Sequence, residues 1–471
     1  MNVLLVNPPF VLSKDSPYST TGAVLPPLGL LYLAAYLRER QQGVEVAVLD
    51  SPATSLDMDG FARELGKHRP DIVGITVYTT TFVAAMEAAR KVKEAFPAAL
   101  VVVGGPHASV RPEECLESPH VDVAVLGEGE ETLRRIVACR AAGGDLASVP
   151  KIVYKRDGQA VATPVEPEVP DLDALPPPAR DLVEMSRYRP AHGTFRRLPA
   201  TNMITSRGCP FRCYFCSKAV SGSHYRAQSA KKTVDELEGL ARDYGIREVI
   251  FNDDVFTLDA KRVEAICDLL LERGLDVTWS CSTRVNLVKP HLLARMKKAG
   301  CISIGYGIEA GDPALLEKVH KGFDLATARD ALRWTHEAGI ESRAFYMLGF
   351  PGETRATIQR TLDVAMELAA DFVIFNLVIP MPGTPLYDEA KREGLLLYDG
   401  VELYQRTDGP HPLIRLADVS EEELAHIYRS AYRRYYLRPS YIARRLARIR
   451  SWGDVTRCVK GFASFLRWSR R

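Results

Sequence analysis

Two α/β domains in series, a doubly wound parallel sheet and then a partly closed βα barrel, are the fold this 471-residue sequence predicts, with a helical basic region behind them. Two observations predict it. Up to about residue 140, short β-branched apolar segments without in/out alternation trade places with longer segments of helical period. Strands covered on both faces of a parallel sheet carry that continuous apolarity. The same alternation resumes from Ala200 behind a proline-rich interruption, and the chain is too long for one ordinary domain.

In the first domain, residues 1–145, strands are expected at 3–7, 45–50, 72–77, 100–104 and 123–126, with helices such as 28–40 and 82–96 between them. Five βα units of this kind make a flavodoxin-like sheet, whose ligands sit at the carboxyl ends of the strands. Those ends read Asn7-Pro8-Pro9, Asp50-Ser51-Pro52, Thr76-Val77-Tyr78-Thr79, Gly104-Gly105-Pro106-His107 and Gly127-Glu128-Gly129. Glycine pairs there admit a large ligand close to the backbone, although the same residues are ordinary turn formers. Residues 146–195 contain a hairpin signal around Asp157-Gly158 and an acidic, proline-rich linker over 164–178. The second domain, 196–395, offers strands at 202–206, 248–253, 277–283, 303–308, 343–348 and 373–379. Its helices are expected at 233–244, 260–273, 290–299, 326–338 and 357–369. Six βα units predict a partial (β/α)6 barrel; residues 396–471 read as helical and basic.

Directly after the first barrel strand stands Gly208-Cys209-Pro-Phe-Arg-Cys213-Tyr-Phe-Cys216. Three thiolates within eight residues can hold three irons of a cubane [4Fe–4S] cluster and leave the fourth iron open. Electron carriers supply four cysteines and structural zinc sites close all four positions, so a trio points to metal chemistry. Its place at the mouth of a barrel, where barrel active sites lie, favours catalysis. The other six cysteines (115, 139, 267, 281, 301 and 458) are scattered and the total of nine is odd, which argues for a reducing cytoplasm over a disulfide framework. The composition, 46% hydrophobic and 25% charged, is that of a soluble globular protein. The longest apolar run, 23–37, is too short to span a bilayer and carries Pro26 and Pro27. The first residues show no export signal.

With the trio so placed, the chain resembles the radical S-adenosylmethionine (SAM) superfamily, whose pattern Cys-x3-Cys-x-aromatic-Cys is matched by Cys209, Cys213, Phe215 and Cys216. The resemblance implies a cluster on the three cysteines, SAM chelating the open iron, and cleavage of SAM to methionine and a 5′-deoxyadenosyl radical. Phe215 is then expected near the adenine. Further SAM contacts are implied for Asp253 or Asp254 after the second strand, Ser282 and Arg284 after the third, Glu309 after the fourth, and Arg343. Arg284 suits a carboxylate because its fork donates two hydrogen bonds. Period two places Ser303, Gly305, Gly307 and Glu309 on one face.

The domain ahead of the barrel narrows the resemblance to the cobalamin-dependent radical SAM branch. It implies cobalamin contacts at Asn7, Pro8, Thr76, Gly104, Gly105, Pro106, His107, Gly127, Glu128 and Gly129. The pattern Asp-x-His-x-x-Gly is missing: Asp50-Ser51-Pro52-Ala53-Thr54 has no histidine, so cobalamin is expected without a histidine below the cobalt. The implied activity is methylation of an unactivated carbon of a small-molecule or lipid substrate, with SAM, cobalamin and the cluster as cofactors and an external flavodoxin- or ferredoxin-type reductant. The alternatives are a non-methylating cyclase resembling the anaerobic magnesium-protoporphyrin monomethyl ester cyclase, and a non-catalytic cobalamin or redox-sensing protein. Methylthiotransferases carry three further cluster cysteines in front of the barrel, where this chain has only Cys115 and Cys139.

From Tyr428 to Arg471 stand thirteen arginines and lysines against one acid, Asp454, so the rest of the chain is net acidic. That rest would repel nucleic acid. The tail interleaves arginines with Tyr432, Tyr435, Tyr436, Tyr441, Trp452, Phe462, Phe465 and Trp468. A basic amphipathic helix there suits an anionic membrane surface, phosphorylated substrates or, least of all, nucleic acid; the other reading packs the aromatics on the barrel with arginines in solvent.

Overall fold

The computed structural model describes residues 1–10, 23–165, 171–191, 194–407 and 411–447. The first sheet contains β1 (Asn2–Asn7), β2 (Glu45–Asp50), β3 (Ile72–Thr76), β4 (Leu100–Gly104), β5 (Val123–Val125), β6 (Ile152–Arg156) and β7 (Gln159–Ala162), in the order β2-β1-β3-β4-β5-β6-β7. Strands β1 to β5 are parallel. The order reverses beside β1, and that switch point opens a crevice at the carboxyl edge. The hairpin read as part of a linker is instead the antiparallel edge of this sheet, Val123 facing Tyr154. Its Ile152, Val153 and Tyr154 are buried, which draws the pair onto the sheet.

The barrel comprises β8 (Ala200–Met203), then a short antiparallel pair β9 (Ser206–Arg207) and β10 (Arg226–Ala227), then β11 (Glu248–Phe251), β12 (Thr278–Thr283), β13 (Cys301–Glu309), β14 (Glu341–Leu348) and β15 (Phe372–Leu377). Six parallel strands run β15-β14-β13-β12-β11-β8, with no pairing between β8 and β15 among the described residues. Four of the helices between them start on side-chain caps: Ser229, Asp259, Asp324 and Thr354 each accept an N–H three residues on. One apolar core, centred on Trp279, Tyr306 and Tyr346, fills the space between strands and helices.

The tail follows its packing reading as far as it is described. Helix Glu421–Tyr436 buries Tyr428 and Tyr435 on the barrel. The Tyr432 hydroxyl accepts from the Phe375 N–H and donates to the Phe375 carbonyl, and Tyr436 does the same at Val373. Two tyrosines thus occupy the open edge of β15, which is why these aromatics face inward. Trp452, Phe462, Phe465 and Trp468 lie outside the described residues.

Candidate functional site

The cysteine loop leaves β9, carries Cys209, Cys213 and Cys216, and returns through β10. Gly208 opens it at φ +82°, where a Cβ would fall 2.1 Å from the His224 carbonyl oxygen. Buried Tyr214 anchors the middle: its N–H reaches the Val319 carbonyl at 3.3 Å and its own carbonyl accepts from Leu386 at 3.2 Å. Phe215 packs on Phe350 with ring centroids 5.6 Å apart.

The three cysteines and Phe215 line a cavity of about 530 Å³ together with Asp254, Ser282, Arg284, Glu309 and Lys321. Among the described residues no three cysteine, histidine or carboxylate side chains converge on one metal ion. Ligands that each take a different iron of a cluster need not converge. Arg284 Nη1 donates to Cys213 Sγ at 3.2 Å, and its guanidinium lies 3.9 Å from the Phe211 ring centroid. Its buried Nε has no partner among the described residues. Burial pushes the Cys209 thiol above its ordinary range, so binding iron here releases a proton.

On β13 Gly305, Gly307 and Glu309 line this cavity, Ser303 does not, and the register shifts between Gly307 and Glu309. A Cβ on Gly305 would fall 2.8 Å from the Phe345 ring and 2.9 Å from Ser282 Oγ, and one on Gly307 would meet Glu309 Oε1 at 2.4 Å. These glycines therefore make the room. Glu309 Oε1 pairs with Lys321 Nζ at 3.2 Å, both buried. Lys321 escaped the sequence reading: it sits in an irregular Lys321-Gly322 turn whose only local signal is the glycine.

The two acids after β11 separate. Asp253 turns away and accepts from the Thr205 N–H, Thr205 Oγ1 and Ser206 Oγ, each at 2.7 Å, so it braces the β8–β9 connection. Asp254 faces the cavity; burial first, then the Asp253 charge, pushes its carboxyl up against the pull of Lys218. Arg343 also departs from expectation. It lies near the amino end of β14, on the far side of the barrel from the loop, and donates to the Thr194 carbonyl at 2.7 Å.

A second cavity of about 500 Å³ lies at the carboxyl edge of the first sheet, lined by Asn7, Thr76, Gly104, Gly105, Gly127 and Gly129, with Asn202, Arg207 and Asp254 on the barrel side. Gly105 has φ +104°, and a Cβ there would crowd the Val77 carbonyl at 3.1 Å. Among the described residues Asn202 Oδ1, buried on this wall, has no partner, which leaves an acceptor for a ligand amide. Three expected contacts fall elsewhere. Pro8 does not line this cavity, and Pro106 lines the cysteine cavity. His107 is fully buried between Phe82 and Tyr404, 3.2 Å from Thr79 Oγ1, and burial pulls its imidazole down to about 4, leaving it neutral. Glu128 borders the cavity, but its carboxylate is taken by Arg226 and Arg207. No histidine is among the described residues lining this cavity.

Residues 18–137 match the family model described as B12 binding domain, and residues 203–365 the one described as Radical SAM superfamily. An uncharacterized methyltransferase of Pyrococcus horikoshii is 35% identical over 94% of each chain. This chain belongs to the cobalamin-dependent radical SAM enzymes. Another relative, the anaerobic magnesium-protoporphyrin IX monomethyl ester cyclase of Rubrivivax gelatinosus, is 30% identical over 94% of this chain and 78% of its own length. The fold matches a solved structure of the radical SAM methyltransferase TsrM from Kitasatospora setae, with a TM-score of 0.71 over 93% of this chain and 89% of that one, at 21% identity. As a cobalamin-dependent radical SAM enzyme the chain works with cobalamin, a [4Fe–4S] cluster and SAM. The residues present fit all three. Three thiols face one cavity beside a guanidinium donor, and the other cavity pairs a glycine-built floor with the buried Asn202 acceptor.

Proposed function

We propose that this enzyme methylates an unactivated carbon of a small-molecule or lipid substrate. The adjacency of the two cavities carries the reading: Asp254, Val220 and Ser221 line both, so a substrate at their junction touches each. When bound, the cluster with SAM supplies a hydrogen-abstracting radical and cobalamin supplies the methyl group. In this reading Cys209, Cys213 and Cys216 hold the cluster. Arg284 and the Glu309–Lys321 pair orient SAM, Phe215 stacks near its adenine, and the glycine rim with Asn7 and Thr76 seats cobalamin. Asp254, held less acidic than usual by burial, sits where a substrate or the SAM amine would meet it.

The cyclase relative supplies a second reading, in which the same radical starts an oxidation without methyl transfer. Anaerobic reconstitution with dithionite, SAM, cobalamin and a candidate extract separates them. A methylase releases S-adenosylhomocysteine and 5′-deoxyadenosine together, the cyclase reading gives only the second, and release of neither from cluster-replete protein leaves a binding protein.

We further propose an external one-electron reductant, supported by the exposure of Cys216 and Arg212, and a reducing cytoplasm, supported by the free thiols of all eight described cysteines. Among the described residues no helix is long and apolar enough to cross a membrane. Exposed Ile442 and Leu446 beside Arg444 support contact with a membrane surface.

A further inference from the structure

One carboxylate holds both ends of the cysteine loop from across the domain boundary. Strands β9 and β10 pair with Arg207 opposite Arg226 and close the base of the loop that carries Cys209, Cys213 and Cys216. Arg226 donates to both oxygens of Glu128, at 3.0 and 2.5 Å. Arg207 Nη1 lies 3.2 Å from Glu128 Oε2, and Arg207 also reaches Glu130 at 2.7 Å. Glu128 belongs to the rim of the first sheet, just after β5, and Lys151 Nζ fixes its backbone carbonyl at 3.2 Å. Glu128 and Arg226 are both buried. Beside them Gly127, at φ +69°, lets the returning limb of the loop come close: a Cβ there would stand 3.3 Å from the Val220 carbonyl.

A buried carboxylate between two guanidiniums costs more than it returns unless its geometry is complete. Here its acceptor capacity goes to the loop and not to the cavity it borders. We propose that Glu128 is a positioning residue that sets the distance and angle between the cavity at the first sheet's rim and the cysteine loop, so that a group in one is aligned with a group in the other. The β9–β10 pairing and the main-chain bonds of Tyr214 keep the loop's own shape, whereas transfer between cavities also needs the loop held against the first sheet. A misplacement of about 1 Å costs an aligned reaction on the order of a hundredfold.

The proposal rests on the methyl-transfer reading above, and its test separates the two. Glu128→Gln keeps the size and removes the charge; Glu128→Asp keeps the charge and shortens the reach, and replaces the first variant if that one does not fold. Reconstituted protein with SAM and strongly reduced cobalamin is followed for S-adenosylhomocysteine release in a single turnover, which needs no substrate. SAM cleavage to 5′-deoxyadenosine is followed in parallel. The variant should slow the first about a hundredfold and the second less than about twofold. In cofactor-free protein, hydrogen exchange of the 207–226 backbone should quicken at least about tenfold. A wild-type ratio of the two products, or unchanged exchange in that segment, overturns the proposal. If wild-type protein itself releases no S-adenosylhomocysteine, the methyl-transfer reading fails, and the exchange comparison alone decides the clamp.

Discussion

Replacing Gly208 by alanine tests whether the cysteine loop is set by its backbone. A Cβ at this position would fall 2.1 Å from the His224 carbonyl oxygen and 3.0 Å from that of Ser221. Both are main-chain atoms, so no rotamer relieves the clash. The left-handed backbone costs an alanine about 1–2 kcal/mol, and pushing close-packed segments apart adds about 1–3 kcal/mol. Gly245 isolates the first cost. It is also left-handed, ends the helix Ala230–Tyr244, and has nothing within 4 Å of its Cβ position. Denaturant unfolding of cofactor-free protein should therefore place Gly208→Ala below Gly245→Ala by the steric cost alone. Iron per chain after anaerobic reconstitution should stay at the wild-type value for Gly245→Ala. It should fall by more than about half for Gly208→Ala, because Cys209 follows the displaced residue and cluster ligands tolerate little displacement. Equal stabilities, with full iron in Gly208→Ala, would refute the argument that backbone packing shapes the site.

Cys213→Ala should abolish 5′-deoxyadenosine formation and lower bound iron; retained SAM cleavage would remove Cys213 from the ligand set. Glu353 accepts from the Gly349 and Phe350 N–H groups at 2.7 and 2.8 Å, and burial pushes its carboxyl up to about 7 against their pull. The folded chain then keeps a proton that the unfolded chain has lost, so stability should fall by roughly 3 kcal/mol as pH rises from about 4.5 to about 7 and level off above. Glu353→Gln should flatten that part of the urea-midpoint profile, and an unaltered slope would show that Glu353 does not titrate there. Lys321→Met leaves buried Glu309 without its cation and should cost about 3–5 kcal/mol and weaken SAM binding with iron content unchanged; calorimetric titration showing wild-type SAM affinity would remove Lys321 from the site.

The strands were legible because they are buried on both faces, and continuous β-branched runs have few other uses. The glycine face of β13 was legible for a related reason: period two in a strand assigns faces without reference to anything distant. What stayed hidden depends on partners far away in the chain. The sequence shows His107 after a strand but not that Phe82 and Tyr404 enclose it. Adjacent acids such as Asp253 and Asp254 differ only in which way the backbone turns after β11. Arg343 belongs to the correct strand but to its wrong end, a matter of where β14 begins. Glu128 reads as one more rim residue until Arg226 arrives from the other domain. Those misplacements share a cause, since each is decided by a tertiary contact that leaves no periodic trace.

The open barrel accounts for why the flanking parts of the chain belong to the fold. Six strands leave β8 and β15 unpaired with each other among the described residues, and exposed strand edges invite pairing with other chains. Different parts of the protein cover each edge. At β15, Tyr432 and Tyr436 answer the main-chain groups of Phe375 and Val373 with both halves of their hydroxyls. At β8, Arg180 donates to the Asn202 carbonyl at 2.6 Å, and Tyr32, from the first domain, donates to the Ile204 carbonyl at 3.2 Å. Tyr32 also stacks against Arg207, 5.2 Å from its ring centroid, and Arg207 is one of the two guanidiniums on Glu128. The contacts that close the edge of β8 therefore run into those that hold the cysteine loop. A barrel cut free at residues 196–395 would lose both, so the two-domain order is a requirement of the barrel's own stability as well as of bringing two cavities together.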